Sequence, residues 1–300
     1  MTNKFILVWL EWPEECFRVD AKALRYLRSV TAKGDTVRRV ASEAAFLREL
    51  PRATHAIVWE FKKEWFARAK RLQVLATPAA GRELVAWRDA PAHVKVHFGA
   101  FHGEIIAESV AAFCLAWARG FFAVKPPIWP RANFGNVCYE VKGTRAVIAG
   151  YGRIGKAIGA KLGALGVEVK GFTRANAALL PRAAKTADWF ILALPSDTGT
   201  DDFLDAKLIA KLPRRCVVVN VGRGNAVDEA ALKAALESGR IAGAYMDVFK
   251  GEPTALNQGA LARGGLWEGC RNLVAMPHCS AFSPHYIERC FRELKDEGLV

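Results

Sequence analysis

A glycine-rich run constrains the fold of this chain more than any other sequence feature. Gly150, Gly152 and Gly155 form a GxGxxG pattern after the apolar run RAVIA and at the start of a helical segment; the β-type run VEVKGF follows. This order is typical of dinucleotide-binding units, whose glycines permit a tight turn, approach of the pyrophosphate and close helix packing. We predict a dinucleotide site in which the amides of Arg153 and Ile154 face the phosphates. The alternative is an ordinary structural turn.

The end of the second strand bears on which dinucleotide is bound. In NAD-binding units an acidic residue about 20 positions further on holds the ribose 2′-hydroxyl. This chain has Thr173 and Arg174 at the strand end instead. Because a guanidinium beside a hydroxyl suits a 2′-phosphate, we predict NADP in preference to NAD. In the alternative, Arg174 is a solvated turn residue and the cofactor is NAD.

Alternating β-type and helical runs extend over most of the 300 residues. The β-type runs are residues 5–10, 55–60, 72–77, 94–99, 145–149, 167–172, 189–194, 216–221, 244–249 and 272–276. Helical runs lie between most of them, including one with Ser42 as N-cap, which favours parallel sheets. We predict an α/β protein. We expect a doubly wound parallel-sheet (Rossmann) domain over residues 101–280 and a smaller flavodoxin-like α/β domain that comprises residues 1–100 and 281–300.

The composition of the chain indicates which binding partners and which cellular compartment to expect. The formal net charge is +13, which favours small anions, but the basic residues occur in ones and twos, so we predict no nucleic-acid partner. Seven cysteines without a CxxC pair predict neither a disulfide framework nor a metal site, and fit a cytoplasmic protein. Glu108 and Arg119 interrupt the apolar stretch over residues 105–124, so a buried helix is predicted there, not a membrane span.

Four segments resemble the D-isomer-specific 2-hydroxyacid dehydrogenases, a family that includes glyoxylate/hydroxypyruvate reductases and phosphoglycerate dehydrogenases. They are GYGRIG, ALPSDTGT, NVGRGNAVDEAALKAALESGRIAGAYMDVFKGEP and MPHCSA. The resemblance is strong from about residue 104 to residue 281 and weak before it. It implies an oxidoreductase that transfers a hydride between NAD(P)H and C2 of a small 2-oxo or 2-hydroxy acid, as a glyoxylate/hydroxypyruvate-type reductase. It also implies a homodimer, and it implies that the smaller flavodoxin-like domain is the substrate domain.

The resemblance implies roles for individual residues. Arg223 would bind the substrate carboxylate and polarise the C2 carbonyl, His278 would be the general acid/base, and Glu252 would hydrogen-bond His278 and favour its charged form. Taken singly, they could be an ion-pair residue, a core histidine and a solvated loop residue. Backbone amides of a loop in the first domain would also bind the carboxylate, and the loosely matching candidates are Ala80 and Gly81.

Four further positions match the family's cofactor site. Pro195 and Thr200 lie in the loop after the third strand of the second domain, and Val221 and Asp247 lie beside the nicotinamide in the family. Asp247 would accept a hydrogen bond from the carboxamide; alternatively, it caps a neighbouring segment. The stretch between Glu252 and His278 is longer than in the family, which predicts an exposed loop there.

Two alternatives belong to other functional classes. A dinucleotide-sensing binding protein would use the same scaffold without appreciable turnover, and retention of all three catalytic residue types argues against it. A nucleic-acid-binding protein is suggested only by the net charge of +13. A panel of 2-oxo acids with reduced dinucleotides would discriminate an enzyme from a sensor.

Overall fold

The computed structural model describes residues 3–123, 137–251 and 265–300. The chain divides into two compact units, residues 1–102 with residues 282–300, and residues 103–281. Among the described residues, no helix is both long and apolar enough to cross a bilayer. Each unit is built on its own parallel sheet.

The first unit contains a five-stranded parallel sheet with the order β2-β1-β3-β4-β5. This is the strand order of flavodoxin-like folds, as predicted. Its strands are β1 (Phe5–Trp9), β2 (Thr36–Arg39), β3 (His55–Val58), β4 (Val74–Thr77) and β5 (Lys95–Phe98), and its first two helices are α1 (Ala21–Val30) and α2 (Glu43–Glu49).

Local capping and aromatic packing explain much of the first unit. Ser42 is the N-cap of α2, as predicted, and its side chain accepts a hydrogen bond from Ala45 N. Phe46, on the same helix, is buried and stacks on Trp9 with 5.2 Å between ring centroids. The helix is therefore fixed at its start by a hydrogen bond and along its length by burial of an aromatic ring.

The second unit contains a six-stranded parallel sheet with the order β11-β10-β9-β8-β6-β7. Its strands are β6 (Arg145–Ala149), β7 (Glu168–Phe172), β8 (Trp189–Leu192), β9 (Val217–Asn220), β10 (Gly243–Met246) and β11 (Leu273–Ala275). Helices α3 (His102–Ala118), α4 (Arg153–Ala164), α5 (Leu180–Ala184), α6 (Ala206–Ile209) and α7 (Glu229–Glu237) accompany them. The strand order reverses between β6 and β8, and ligands of such sheets bind at this switch point.

Both faces of the second sheet are covered. Along β6, Val147 and Ala149 belong to one hydrophobic core, whereas Ala146 and Ile148 belong to another. Because side chains alternate between the faces of a strand, two cores require apolar residues at successive positions. The uninterrupted apolar runs of the sequence predicted this arrangement, and the doubly wound α/β fold is confirmed.

The last helix of the chain, α8 (Tyr286–Asp296), packs within the first unit. Its Glu288 forms ion pairs with Lys22 of α1, at 2.9 Å, and with Arg292, at 2.7 Å. Its Glu293 accepts from the backbone amide of Ala100 and lies 2.6 Å from His97 Nε2. Hydrogen bonds and ion pairs thus attach the C-terminal segment to a sheet formed by the first hundred residues.

Candidate active site

Three predicted site residues of the second unit follow the carboxyl ends of three adjacent strands. The last residues of β9, β10 and β11 are paired side by side in the sheet. Arg223 lies shortly after β9, Asp247 directly after β10 and His278 shortly after β11. Since the carboxyl ends of parallel strands share one edge, three residues that are distant in sequence come to the same edge of one sheet.

Asp247 holds the backbone that carries His278. Asp247 is 3% exposed, and its carboxylate accepts from the backbone amides of Cys279, at 2.9 Å, and Ser280, at 3.1 Å. Its own carbonyl oxygen accepts from His278 N at 2.8 Å. Burial raises the pKa of the Asp247 carboxyl, while the hydrogen bond from the Cys279 amide acts in the opposite direction. The structure therefore shows the capping role that was the alternative for Asp247; its contact with a carboxamide stays a prediction.

His278 sits in a strained turn. Its φ of 54° lies in the left-handed region, which non-glycine residues avoid at a cost of about 1–3 kcal/mol. Ser280 is anchored as well, because its carbonyl accepts from Ser109 Oγ at 3.0 Å and its hydroxyl lies 2.8 Å from Tyr245 OH. The side chain of His278 is exposed, so it is not a core histidine. The anchored turn presents an imidazole at the edge of the sheet.

Asn220 fixes the turn that carries Arg223. This asparagine is completely buried at the end of β9; its Oδ1 accepts from Gly222 N at 3.1 Å and its Nδ2 donates to Arg223 O at 3.1 Å. The half-buried Arg223 donates from Nη1 to Gly222 O at 2.9 Å. Sequence reasoning assigned no role to Asn220. A single amide side chain after three valines was the signal that could have identified it.

The glycine turn has the geometry that the sequence predicted for two of its three glycines. Gly150 has a φ of 91°, and a Cβ there would lie less than 3.0 Å from Ala193 O. A Cβ on Gly155 would lie less than 3.0 Å from Gly150 O, so α4 can approach the turn only without a side chain.

Gly152, the N-cap of α4, differs from the other two. Its backbone is extended with a φ of −83°, and a Cβ would have no heavy atom within 4 Å. The fold itself therefore does not require glycine at this position. Open space beside the first turn of α4 is what a pyrophosphate needs, because the amides of Arg153 and Ile154 are among those that a helix leaves unpaired. The residues present fit a dinucleotide.

The segment after β7 places Arg174 in solvent. Thr173 is the N-cap of the following turn, and its backbone amide donates to Asn176 Oδ1 at 2.7 Å. The Arg174 side chain is 87% exposed, and its Nη2 donates to Asp197 Oδ2 at 2.5 Å. Arg174 is thus solvated, as the alternative for it stated, and it also has a carboxylate partner that sequence reasoning missed.

The loop after β8, residues 195–200, is organised by one hydroxyl. Thr200 is 6% exposed, and its Oγ1 donates toward Pro195 O and Asp197 O, each at 2.8 Å, and accepts from Asp197 N at 3.1 Å. Val221, after β9, is buried in the core. Thr200 and Val221 therefore have structural contacts of their own, and their contacts with a cofactor stay predictions.

The predicted site also includes Glu252 and the loop that contains Ala80 and Gly81. Glu252 and the predicted exposed loop after it lie outside the described residues. In the first unit, Ala80 and Gly81 follow β4; their neighbour Ala79 donates from its amide to Thr77 Oγ1 at 3.2 Å and accepts from Gly99 N at 3.0 Å. These bonds give the start of the loop a defined course.

The chain matches one protein-family model and several curated proteins. Residues 113–280, more than half of the chain, match the model of the D-isomer specific 2-hydroxyacid dehydrogenase NAD binding domain. The glycerate dehydrogenase of Methylorubrum extorquens is 29% identical over 238 residues, covering 75% of this chain and 74% of that protein. The chain spans only 23%, 35% and 39% of the length of three other curated relatives.

Solved structures resemble the whole chain. The crystal structure of a D-isomer specific 2-hydroxyacid dehydrogenase from Xanthobacter autotrophicus Py2, in complex with NADPH and MES, is 25% identical. It matches with a TM-score of 0.76 over 99% of this chain and 96% of that chain. The NAD complex of a D-isomer specific 2-hydroxyacid dehydrogenase from Lactobacillus delbrueckii ssp. bulgaricus, 17% identical, has a TM-score of 0.78 over 98% of this chain and 96% of that chain. At this lower identity the likeness shows the fold.

Proposed function

Because the chain belongs to the D-isomer-specific 2-hydroxyacid dehydrogenase family, we propose that it transfers a hydride between a nicotinamide dinucleotide and C2 of a small 2-oxo or 2-hydroxy acid. One observation carries the proposal: Arg223 follows β9 and His278 follows β11, at the same edge of the sheet from which the glycine turn also leaves. An arginine, a histidine and a phosphate-binding turn at one sheet edge are the parts that this reaction requires.

The chain's own residues would hold the dinucleotide at the switch point of the second sheet. Gly150 and Gly155 shape the turn, Gly152 leaves room for the pyrophosphate, and the amides of Arg153 and Ile154 would donate to it. When bound, the nicotinamide would supply or accept the hydride. Pro195, Thr200, Val221 and Asp247 are the further proposed contacts.

Arg223 would bind the substrate carboxylate and stabilise negative charge on the C2 oxygen. A guanidinium offers a planar fork that matches two oxygens, which an ammonium does not. The anchorage of its backbone by Asn220, and of its Nη1 by Gly222 O, limits the positions that the fork can take. A fixed donor stabilises developing charge without reorganisation during the reaction.

His278 would exchange the proton of the C2 oxygen. In reduction the protonated imidazole donates to the oxygen as it gains negative charge; in oxidation the neutral imidazole accepts the hydroxyl proton. Asp247 would act as a positioning residue, because its carboxylate holds the amides that follow His278. Glu252 would add a hydrogen bond to the imidazole. We place Ala80 and Gly81 among the residues that bind the substrate carboxylate.

We also propose a substrate, a preferred cofactor, an oligomeric state and a cellular location. The substrate is a glyoxylate- or hydroxypyruvate-type 2-oxo acid, as the resemblance implies, and NADPH is preferred to NADH because Arg174 offers a guanidinium to a 2′-phosphate. The protein is a homodimer, which is supported by the exposed apolar side chains of Leu115, Phe121 and Phe122. It is cytoplasmic, in keeping with seven free thiols.

An assay with a panel of 2-oxo acids tests the proposal. Glyoxylate, hydroxypyruvate, pyruvate and longer 2-oxo acids are each supplied with NADPH and with NADH, and the variant His278→Asn serves as a control for contaminating activity. We expect turnover of the short acids by the wild type, with a higher kcat/KM for NADPH. Dinucleotide binding without turnover of any acid would favour the sensor alternative, and a higher kcat/KM for NADH would reject the preferred cofactor.

A further inference from the structure

We propose that Asp197 sets how strongly the dinucleotide site discriminates NADP(H) from NAD(H), because its carboxylate competes with a 2′-phosphate for the Arg174 guanidinium. The inference rests on the proposed function, namely that the glycine turn binds a nicotinamide dinucleotide. It assigns Asp197, which follows β8, to recognition of the ribose 2′ substituent in addition to Arg174, which follows β7.

Sheet order brings Asp197 to the ribose side of the site. Strand β6 lies between β7 and β8, and its last residue is paired with the last residues of both neighbours. The glycine turn leaves β6, Arg174 follows β7 and Asp197 follows β8. The ion pair therefore joins the two segments that flank the glycine turn. In dinucleotide folds the end of the second strand, here β7, contacts the ribose 2′ substituent.

The two partners of the ion pair are held unequally. Asp197 Oδ1 accepts from Gly199 N at 2.9 Å, and its backbone is bound to the Thr200 hydroxyl through both its amide and its carbonyl. The carboxylate thus has a fixed position. The Arg174 side chain, in contrast, is 87% exposed, compared with 35% for Asp197. The guanidinium can exchange partners, whereas the carboxylate stays in place.

Charge makes this exchange selective. The 2′-hydroxyl of NAD is neutral, so NAD can bind while Arg174 remains paired with Asp197. A 2′-phosphate carries a charge of about −1.5 to −2 and needs the guanidinium as its partner. It must draw Arg174 from Asp197, and it also introduces negative charge near a fixed carboxylate. Asp197 therefore opposes binding of NADP(H) in two ways and leaves binding of NAD(H) unaffected.

The variant Asp197→Asn tests the inference. Asparagine keeps an oxygen that can accept from Gly199 N but removes the charge. The matched control is Asp201→Asn, which removes one charge close by in the chain; the Asp201 carboxylate accepts from Asn225 Nδ2 at 2.6 Å and is not the partner of Arg174. Dissociation constants are measured by calorimetry, without substrate, for NADPH, for NADH and for 2′,5′-ADP, which has the 2′-phosphate but no nicotinamide.

We expect Asp197→Asn to bind NADPH and 2′,5′-ADP about five-fold more tightly than the wild type, as for the loss of one competing exposed ion pair. Its affinity for NADH should stay within about two-fold of the wild type, as should all three affinities of Asp201→Asn. The gain should shrink as salt is raised. The gain should also shrink when Asp197→Asn is introduced into the variant Arg174→Gln, because no guanidinium is then present for the carboxylate and the 2′-phosphate to compete for.

Four results would overturn the inference. Unchanged NADPH affinity in Asp197→Asn, or an equal gain in Asp201→Asn, would remove the competition while leaving the proposed function intact. Weaker binding of both NADPH and NADH, together with a lower Tm, would show that Asp197 only maintains the loop. A wild type that binds neither dinucleotide would overturn the proposed function and the inference with it.

Discussion

Two regions of the molecule use charged side chains differently. On the helical surface of the first unit, Glu288 of α8 is paired with Lys22 and Arg292, whose side chains are 60% and 57% exposed. At the edge of the second sheet formed by the ends of β9 to β11, the Asp247 carboxylate is buried and is bound to backbone amides. The first region joins side chains to side chains; the second joins a side chain to the backbone.

This difference predicts which region tolerates substitution. An exposed ion pair contributes about 0.2–1 kcal/mol, and water replaces a lost partner. A buried carboxylate that binds amides is costly to remove, because the amides are left without an acceptor. Charges of the first region therefore add stability, whereas the Asp247 carboxylate of the second also fixes the turn that carries His278, the proposed acid/base.

The largest expected effect is that of His278→Asn. Asparagine tolerates the left-handed backbone of this turn, so the fold should persist. Loss of the acid/base group should reduce kcat by about 10³-fold. Steady-state rates and calorimetric dinucleotide affinities should show low turnover with unchanged binding. Full activity in this variant would remove His278 from its proposed role.

Asp247→Asn should come next. Asparagine keeps the Oδ1 that accepts from the amides of Cys279 and Ser280, but it places an NH2 donor where Oδ2 accepts from Ser280 N at 3.1 Å. Because a donor then faces a donor, we expect kcat to fall about 10²-fold and stability to fall by about 2 kcal/mol. The loss should be larger in kcat than in dinucleotide affinity, because the glycine turn leaves a different strand end. Asp205→Asn, which retains an N-cap acceptor on α6, is the control. An unchanged kcat would assign Asp247 to stability alone.

The raised pKa of Asp247 also gives a sign for stability against pH. The folded carboxyl binds its proton more tightly than the unfolded one, so wild-type stability should fall as pH rises from the usual value of 3.8 through the raised pKa. The asparagine variant should lack this decline. Urea unfolding midpoints across that range measure it, and parallel curves for the two proteins would contradict it.

Two glycine substitutions separate folding from binding within the second unit. Gly155→Ala places a Cβ against Gly150 O, so we expect a loss of about 1–3 kcal/mol of stability and of dinucleotide binding. Gly152→Ala meets no heavy atom within 4 Å, so its Tm should fall only by the small amount expected for alanine at an N-cap. Its dinucleotide affinity should fall about ten-fold, since the methyl group occupies the space for the pyrophosphate. Equal losses of Tm in both variants would refute this separation.

The smallest expected effect is that of Glu288→Gln, in the first region. The hydrogen bonds from Arg292 and Lys22 lower the pKa of Glu288 to about 2. A depressed pKa means that its contribution is present above pH 4.5 and is lost as pH falls through about 2. We expect the variant to lose about 1 kcal/mol at neutral pH and to lack that acid-dependent loss. Dinucleotide affinity should be unchanged, and Glu297→Gln is the exposed control.

The sequence predicted most of the fold because most strands are apolar on both faces. Each of the ten β-type runs overlaps a strand of the structure. The strand that the sequence did not predict is β2, in which Val37 is half-buried and the other three residues are exposed. This edge strand owes its conformation to pairing with β1, which no local apolar pattern reveals.

The site was predicted less completely, for a related reason. The glycine turn, Arg223 and His278 were predicted as site residues because their segments are distinctive in sequence, and the catalytic roles of the last two stay proposals. Asn220 and Asp197 lie within segments that resemble the family, but the sequence predicted no role for them. The fold supplies their partners, which are backbone groups for Asn220 and the Arg174 guanidinium for Asp197. A polar side chain acquires its function from the donors near it, and these depend on the course of the loops.

The sequence alone determined the α/β layout and the phosphate-binding turn, because apolar periodicity and glycine stereochemistry act over short stretches of chain. Only the tertiary structure decided that Asp247 holds the turn of His278 and that Asp197 pairs with Arg174. Each of these contacts joins the ends of different strands, and strand order, which fixes their proximity, results from packing of the whole sheet.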